Sequence, residues 1–201
     1  LINARKPEGE LGDKLLDRMN ESHESLAQWG VSHLDIAADD IILDIGCGGG
    51  VNVERFLEMT ENKVYGLDYS QIAVDKSKKL NQNAIDEGRC EIIQGSVSQL
   101  PFEDNSFDKV FILNHFNYTS DQQKALKEIY RVLKLKGQLI LEDSDARKLK
   151  VKLKAFKNKV CGDRVKYHRP QELINMFTKF NFSGSLAEIE SQKYIYIGNK
   201  K

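Results

Sequence analysis

The feature that most constrains the fold of this chain is an apolar run that leads directly into a cluster of glycines. Residues 41–45 have the composition of a buried strand that carries an acid, Asp44, and glycines occupy positions 46, 48, 49 and 50. Glycines remove side chains from a turn, so the backbone can approach a ligand closely. A helix is expected directly afterwards, from about Val51 to Met59. This order predicts the start of a βαβ unit with a ligand site at the turn.

A second predicted strand, residues 63–68, also ends in an acid, Asp68. In a βαβ nucleoside site this second acid binds the ribose hydroxyls. Asp44 disfavours a diphosphate, because like charges repel, and would attract a cationic amine. Val51 stands where a dinucleotide fingerprint needs glycine or alanine, and the turn lacks the Gly-Lys-Ser/Thr of a Walker loop. S-adenosylmethionine, which has a ribose, an adenine, a sulfonium and an amino acid tail but no phosphate, fits these residues best.

The alternation of strand and helix patterns predicts the fold class. Strands are expected near 41–45, 63–68, 91–95, 107–113 and 137–143, helices near 51–59, 70–86, 121–133 and 170–180, and a closing hairpin at 182–189 and 193–197. We therefore predict an α/β fold: a doubly wound, mostly parallel seven-stranded sheet with helices on both faces and an antiparallel C-terminal hairpin. Residues 1–37, with helices at 12–29 and 31–36, are expected to form a lid segment before a domain at 38–201, in a single domain overall.

Four segments resemble the class I, Rossmann-like S-adenosylmethionine-dependent methyltransferases, and they occur in the expected order. They are residues 43–50, 64–70, 100–110 and 128–137. Within that family the chain is most similar to small-molecule enzymes of the quinone-biosynthesis type. The resemblance implies transfer of a methyl group from S-adenosyl-L-methionine to a small-molecule acceptor by in-line displacement, with S-adenosyl-L-homocysteine as the product.

The resemblance also implies the cofactor residues. Asp44 would face the amine of the methionine moiety, Asp68 would accept both ribose hydroxyls, and Tyr69 would flank the adenine. Ser96 occupies a position where many relatives have an acid for the adenine amino group, and the backbone N–H of Val97 would also serve the adenine. The predicted cofactor-binding residues are Asp44, Gly46, Cys47, Gly48, Asp68, Tyr69, Ser96, Val97 and Asn114.

The residues that contact the methyl acceptor are expected at the carboxyl end of the fourth strand and in the segments outside the cofactor-binding fold. The predicted substrate and lid residues are Met19, Trp29, Tyr118, Tyr167 and His168. For Met19 and Trp29, core packing of an amphipathic helix is the alternative. His115 and His23 are the candidate catalytic bases, which a phenol or carbon acid would need and a deprotonated thiol or amine would not. The alternative is a structural histidine, which is the more common role of a lone histidine.

The amino-acid composition limits the classes of partner and the cellular location expected for this chain. The chain has 30 Lys and Arg residues against 30 Asp and Glu residues, and this balance argues against a nucleic acid partner. Its three cysteines lie far apart without metal spacing, which favours a reduced, cytoplasmic protein. No apolar run is long enough to cross a membrane. We expect a monomer or homodimer that uses no metal. Two alternatives stay open: a catalytically silent S-adenosylmethionine-binding protein that acts through a partner, and a nicotinamide-dependent dehydrogenase.

Overall fold

The computed structural model describes residues 35–113, 116–144, 165–189 and 193–201, together with residues 9, 12, 14 and 16. Its strands are β1 (Ile42–Ile45), β2 (Val64–Asp68), β3 (Cys90–Gln94), β4 (Phe107–Leu113), β5 (Leu133–Ser144), β6 (Phe182–Ile189) and β7 (Lys193–Lys200). They form a seven-stranded sheet of order β3-β2-β1-β4-β5-β7-β6. The pairs β1–β2, β2–β3 and β4–β5 are parallel, whereas β7 pairs with β5 and β6 in antiparallel orientation. The predicted fold class is confirmed.

The first compact unit comprises residues Leu1–Ser96. All four residues of β1 are buried, as is usual for a strand inside a parallel sheet. Helix α1 (Val51–Met59) follows the glycine turn, and its Val53 and Phe56 side chains are fully buried. In β2 the register places Gly66 opposite Asp44. A side chain at Gly66 would meet the Cys47 Sγ atom at 3.0 Å, so glycine is needed there for close packing beneath the turn.

The helix predicted at 70–86 is two helices, α2 (Gln71–Leu80) and α3 (Gln82–Asp86), and the prediction of one continuous helix is wrong. Asn81 separates them, with φ −101° and ψ 20°. Its side-chain amide donates to the carbonyls of Ser77, at 2.9 Å, and of Gly50, at 3.2 Å. Asparagine side chains compete with helical backbone bonding in this way, and here the bond joins the end of α2 to the glycine turn.

The second compact unit comprises residues Val97–Lys201. It contains α4 (Gln122–Val132) and α5 (Pro170–Lys179) besides β4 to β7. Pro170 is the first residue of α5, as predicted, and the Glu172 carboxylate accepts the N–H of Arg169 at 3.0 Å. β5 begins at Leu133, four residues before the predicted start, because the pairing register with β4 shifts between Phe107 and Lys109 and the strand continues through Lys136 at φ 65°.

The guanidinium of Arg131 fastens the loop before β4 onto α4. It donates to the carbonyls of Leu100, at 3.1 Å, and Phe102, at 2.7 Å, and forms ion pairs with Asp104 and Glu128, both at 2.9 Å. Glu128 in turn accepts the N–H of Leu100 at 2.8 Å, and these bonds lower the pKa of its carboxyl. The segments 100–110 and 128–137, which carry half of the family resemblance, are therefore joined through a structural clamp.

The predicted N-terminal helices lie mostly outside the described residues. Residues 12, 14 and 16 are helical, as the helix at 12–29 requires. Residues 35 and 36 are not helical, so the end of the helix predicted at 31–36 is wrong. The boundary expected between a lid segment and a domain at residue 38 stays a prediction. Among the helices of the described ranges, none is long and apolar enough to cross a membrane.

Candidate functional site

The glycine turn leaves β1 and is held by the end of β2. The N–H groups of Gly46 and Cys47 both donate to the carbonyl of Leu67, at 2.7 and 3.2 Å. The turn closes when the N–H of Gly50 donates to the carbonyl of Cys47 at 3.0 Å. Gly46, Gly48 and Gly50 have φ values of 78°, 53° and 87°, in the left-handed region where a side chain is strained. The backbone geometry therefore favours glycine at these positions.

Two glycines of the turn face very different surroundings. A Cβ atom at Gly50 would stand 2.8 Å from the backbone Cα of Ser77, so this glycine lets α1 pack against α2. At Gly48 the nearest atom to such a Cβ, within the described parts of the chain, is the Leu16 Cδ2 atom at 3.9 Å. A Cβ atom at Gly48 would therefore meet no clash among the described residues and would make only van der Waals contact with Leu16, so a ligand could approach the backbone here. Leu16, from the predicted lid segment, is itself buried beside this point.

Asp68 links the turn to the end of β2. Its Oδ2 atom accepts the N–H of Gly48 at 3.0 Å, and its Oδ1 atom accepts the N–H of Ser70 at 2.8 Å. The side chain is 8% exposed. Each carboxylate oxygen has a second lone pair, so both can still accept a hydroxyl proton. Asp68 is thus oriented by the backbone and can receive two neighbouring hydroxyls.

Asp44 lies in a contrasting environment. It is 1% exposed, and within the described residues its Oδ2 atom has no hydrogen-bond partner. Burial, and to a smaller extent the Asp68 carboxylate, raises the pKa of Asp44 to about 7. A buried carboxylate with an unsatisfied oxygen is costly, and a cation placed against it removes that cost. Together, Asp44 and Asp68 suit a ligand that carries both a cationic group and a pair of hydroxyls.

Cys47 and Tyr69 are placed differently from each other. The Cys47 side chain is buried below the turn, with its Sγ atom 4.0 Å from the Ser77 Oγ atom, and burial raises its pKa well above the ordinary value. Its thiol is therefore neutral and inert, and a ligand contact would fall to its backbone. Tyr69 is 54% exposed, and its carbonyl accepts from the Gln94 side chain at 3.3 Å. Ser96 is exposed as well. Their contacts with a cofactor stay predictions.

In the second unit, the segment before α5, the first residue of α4 and the loop after β4 form a polar cluster. It includes the predicted residue His168. The His168 Nε2 atom lies 3.1 Å from the Gln122 Oε1 atom, and the Gln122 Nε2 atom donates to the carbonyl of Phe116 at 3.2 Å. Because the Gln122 oxygen can only accept, the Nε2 atom of His168 carries the proton. The N–H of Lys166 donates to the carbonyl of Asn117 at 2.9 Å, and burial lowers the pKa of His168.

The structure brings one set of the predicted residues together within the first unit. Asp44, Gly46, Cys47, Gly48 and Asp68 share one site around the turn. Val97 is buried and Tyr118 and Tyr167 are half-buried in the second unit. The predicted residues Met19, His23, Trp29, Asn114 and His115 lie outside the described residues, and their roles stay predictions.

Sequence reasoning missed three contributors to the site. These are the Ser70 N–H that binds Asp68, the Leu16 side chain beside Gly48, and the Ser77 backbone against Gly50. Ser70 immediately precedes a helix, a position where serine is common, so a signal was present. Of the described residues, no group of three or more His, Cys, Asp or Glu side chains could hold a metal ion.

Comparison with known proteins places this chain next to methyltransferases. Residues 43–141 match a family described as a methyltransferase domain. The chain is 28% identical to the uncharacterized methyltransferase YdaC of Bacillus subtilis over 148 residues, which cover 72% of this chain and 80% of YdaC. It is 29% identical to the demethylmenaquinone methyltransferase of Oceanobacillus iheyensis over 123 residues, covering 60% of this chain and only 51% of that enzyme.

A solved structure supports the fold over more of the chain than the sequence matches cover. The complex between the Haloferax volcanii Trm112 methyltransferase activator and its methyltransferase contains a chain that superposes with a TM-score of 0.82. The superposition covers 93% of this chain and 94% of that one, at 17% identity. At this identity the likeness concerns the fold alone.

Proposed function

The chain belongs to the class I, Rossmann-like S-adenosylmethionine-dependent methyltransferases, and on that premise we propose that it methylates a small-molecule acceptor. The observation that carries the proposal is the pair of acids around the glycine turn. Asp68 is oriented to receive two hydroxyls, and Asp44 is a buried carboxyl with an oxygen that no described group satisfies. S-adenosylmethionine has the ribose diol and the cationic amine that such a pair would bind.

The residues present fit this cofactor. Asp68 would hold the ribose, Asp44 would face the amine, and the bare backbone at Gly48 would lie against the ligand. A pyrophosphate suits the site less well, because it offers no cationic group to the buried Asp44 carboxyl. This argues against the nicotinamide-dependent dehydrogenase. When bound, the cofactor supplies an activated methyl group on a sulfonium, so the protein's main task is to position the acceptor.

A small-molecule acceptor is supported by two observations. The net charge of zero provides no excess of cations for a nucleic acid backbone. The demethylmenaquinone methyltransferase of Oceanobacillus iheyensis, similar over 60% of this chain, is named for a small quinone-type acceptor. We propose the same general class for this chain.

Calorimetric titration with S-adenosylhomocysteine and with NAD tests the cofactor assignment. We expect binding of the first and none of the second. Asp68→Ala should weaken binding of S-adenosylhomocysteine by about 2–3 kcal/mol, on the order of 30- to 150-fold, since bonds to a charged group are lost. Asp75→Ala removes an exposed acid of α2 that is bonded only to Gln71 within the described residues, and serves as the matched control.

Because alanine leaves the N–H groups of Gly48 and Ser70 without their acceptor, each variant is first checked by urea unfolding. Asp68→Asn retains one carbonyl oxygen and should fall between wild type and alanine. Tight NAD binding without a response to S-adenosylhomocysteine would refute the assignment. So would an unchanged affinity in a folded Asp68→Ala protein.

Turnover needs a separate experiment, because a catalytically silent binding protein would give the same titrations. Incubation of the protein with a metabolite extract and methyl-labelled S-adenosylmethionine should give a labelled small molecule, identified by mass spectrometry. An Asp68→Ala sample provides the background. Binding without any labelled product, across extracts from several growth conditions, would favour the silent protein.

A further inference from the structure

The two acids of the proposed cofactor site, Asp68 and Asp44, differ in the hydrogen bonds that their carboxyl oxygens accept. Asp68 has a backbone N–H bonded to each carboxylate oxygen, at 3.0 and 2.8 Å, and these donors stabilise its charge. Asp44 is buried more deeply, and one of its oxygens has no partner among the described groups. Two carboxylates that lie close together in a low dielectric do not readily carry full charge at once. If a single proton is shared by this pair, Asp44 is therefore the group that holds it.

The groups around Asp44 do not supply a compensating charge. On β2 the titratable neighbour is the Asp68 carboxyl, which cannot supply a positive charge, and on the turn it is the Cys47 thiol, whose pKa burial raises well above its ordinary value. On α1 the guanidinium of Arg55 is bonded to the Asn52 side chain at 2.9 Å. On the neighbouring strand β2, the residue paired with Asp44 is Gly66, which has no side chain. Within the described part of the first unit, no lysine, arginine or histidine forms an ion pair with Asp44.

We infer that Asp44 is protonated in the ligand-free protein and releases its proton when the cofactor amine binds, which makes cofactor affinity depend on pH. This inference rests on the proposed function, since it assigns the amine of the methionine moiety to Asp44. The exchange involves no covalent step. The proton passes from the Asp44 carboxyl to the solvent, and the ligand ammonium replaces it as the positive partner of the carboxylate.

The direction of the pH dependence follows from linkage. Without ligand, the pKa of Asp44 is raised to about 7, and an ammonium group beside the carboxylate lowers it. The bound form therefore holds fewer protons, so affinity increases as pH rises towards 7 and levels off above it. Between the two pKa values the affinity changes by up to about tenfold per pH unit. A carboxyl of ordinary pKa would leave the affinity flat over this range.

Calorimetry with S-adenosylhomocysteine measures the released proton directly. Titrations at pH 6 and pH 8, each in two buffers with different ionisation enthalpies, give the number of protons exchanged per ligand. We expect about one proton released at pH 6 and close to none at pH 8. In Asp44→Asn the release at pH 6 should disappear, whereas Asp75→Asn should behave like wild type, which excludes a contribution from the ligand amine or from histidines.

An independent readout uses no ligand. Carbon-13 NMR of aspartate-labelled protein should contain a carboxyl resonance that titrates near pH 7 and is missing in Asp44→Asn. If S-adenosylhomocysteine binds at pH 6 without proton release, or if every aspartate titrates below pH 5, the inference is wrong although the cofactor assignment stands. If the ligand does not bind at either pH, the proposed function itself fails. The wild-type measurements decide the matter even if the variant does not fold.

Discussion

Replacing Gly50 and Gly48 separately with alanine tests whether the glycine turn combines a packing residue with a ligand-facing residue. Both have positive φ, at 87° and 53°, so both variants carry a similar backbone strain of about 1–2 kcal/mol. Only Gly50→Ala adds a steric conflict, because its methyl group would stand 2.8 Å from the Cα atom of Ser77. Backbone cannot move aside like a flexible side chain, and overpacking of this kind costs about 1–3 kcal/mol more.

Urea unfolding followed by circular dichroism should therefore give a free energy of unfolding lower by about 2–5 kcal/mol in Gly50→Ala and by about 1–2 kcal/mol in Gly48→Ala. Binding of S-adenosylhomocysteine should show the opposite order in the folded proteins. The methyl group of Gly48→Ala enters the space near Leu16 where we place the cofactor, and should cost at least about tenfold in affinity, or about 1.4 kcal/mol. Equal losses of stability, or unimpaired binding by Gly48→Ala, would refute the division of roles.

Three further predictions concern charge and hydrogen bonding. Because the pKa of Asp44 is raised from 3.8 to about 7 in the folded protein, the free energy of unfolding of the wild type should fall as pH rises between these values. Urea unfolding should find Asp44→Asn more stable than the wild type at pH 8 by up to about 4 kcal/mol, and this difference should close towards pH 4. Arg131→Ala should lower the free energy of unfolding by about 2–3 kcal/mol through loss of the clamp, whereas exposed Lys127→Ala on the same helix should change it little; equal effects would contradict the clamp. Nitrogen-15 NMR should find His168 neutral at pH 7, with the proton on Nε2 next to Gln122, because burial lowers its pKa. An Nδ1–H tautomer would rule out the hydrogen bond.

Most of the sheet could be predicted from the sequence, because apolar strands and glycine turns are local signals. The break between α2 and α3 could not be predicted in the same way. The pattern from residue 70 to 86 is helical throughout, and the break occurs at Asn81, whose amide donates to the carbonyl of Ser77 and to that of Gly50 in a distant part of the chain. A hydrogen bond to a residue distant in sequence does not change the local pattern of apolar residues from which a helix is predicted.

The candidate site was predictable to a similar extent. Acids at strand ends next to glycines identify Asp44 and Asp68 as a pair, and the structure adds that their surroundings differ. The different roles of Gly48 and Gly50 were also hidden, because both are glycines of one turn and the distinction depends on what stands opposite each. His168 was identified as a polar residue after the fifth strand, but Gln122, which fixes its tautomer, is distant in sequence.

The clamp formed by Arg131 has a consequence for how relatives of this chain are interpreted. Its bonds hold a loop to a helix, and the described contacts of this guanidinium are all with that loop and with Glu128 on its own helix. A descendant that had lost methyl transfer would still need the clamp to keep its shape. Matches confined to residues 100–137 therefore bear on the scaffold, whereas we expect Asp44 and Asp68 to be retained together in relatives that keep the proposed cofactor site.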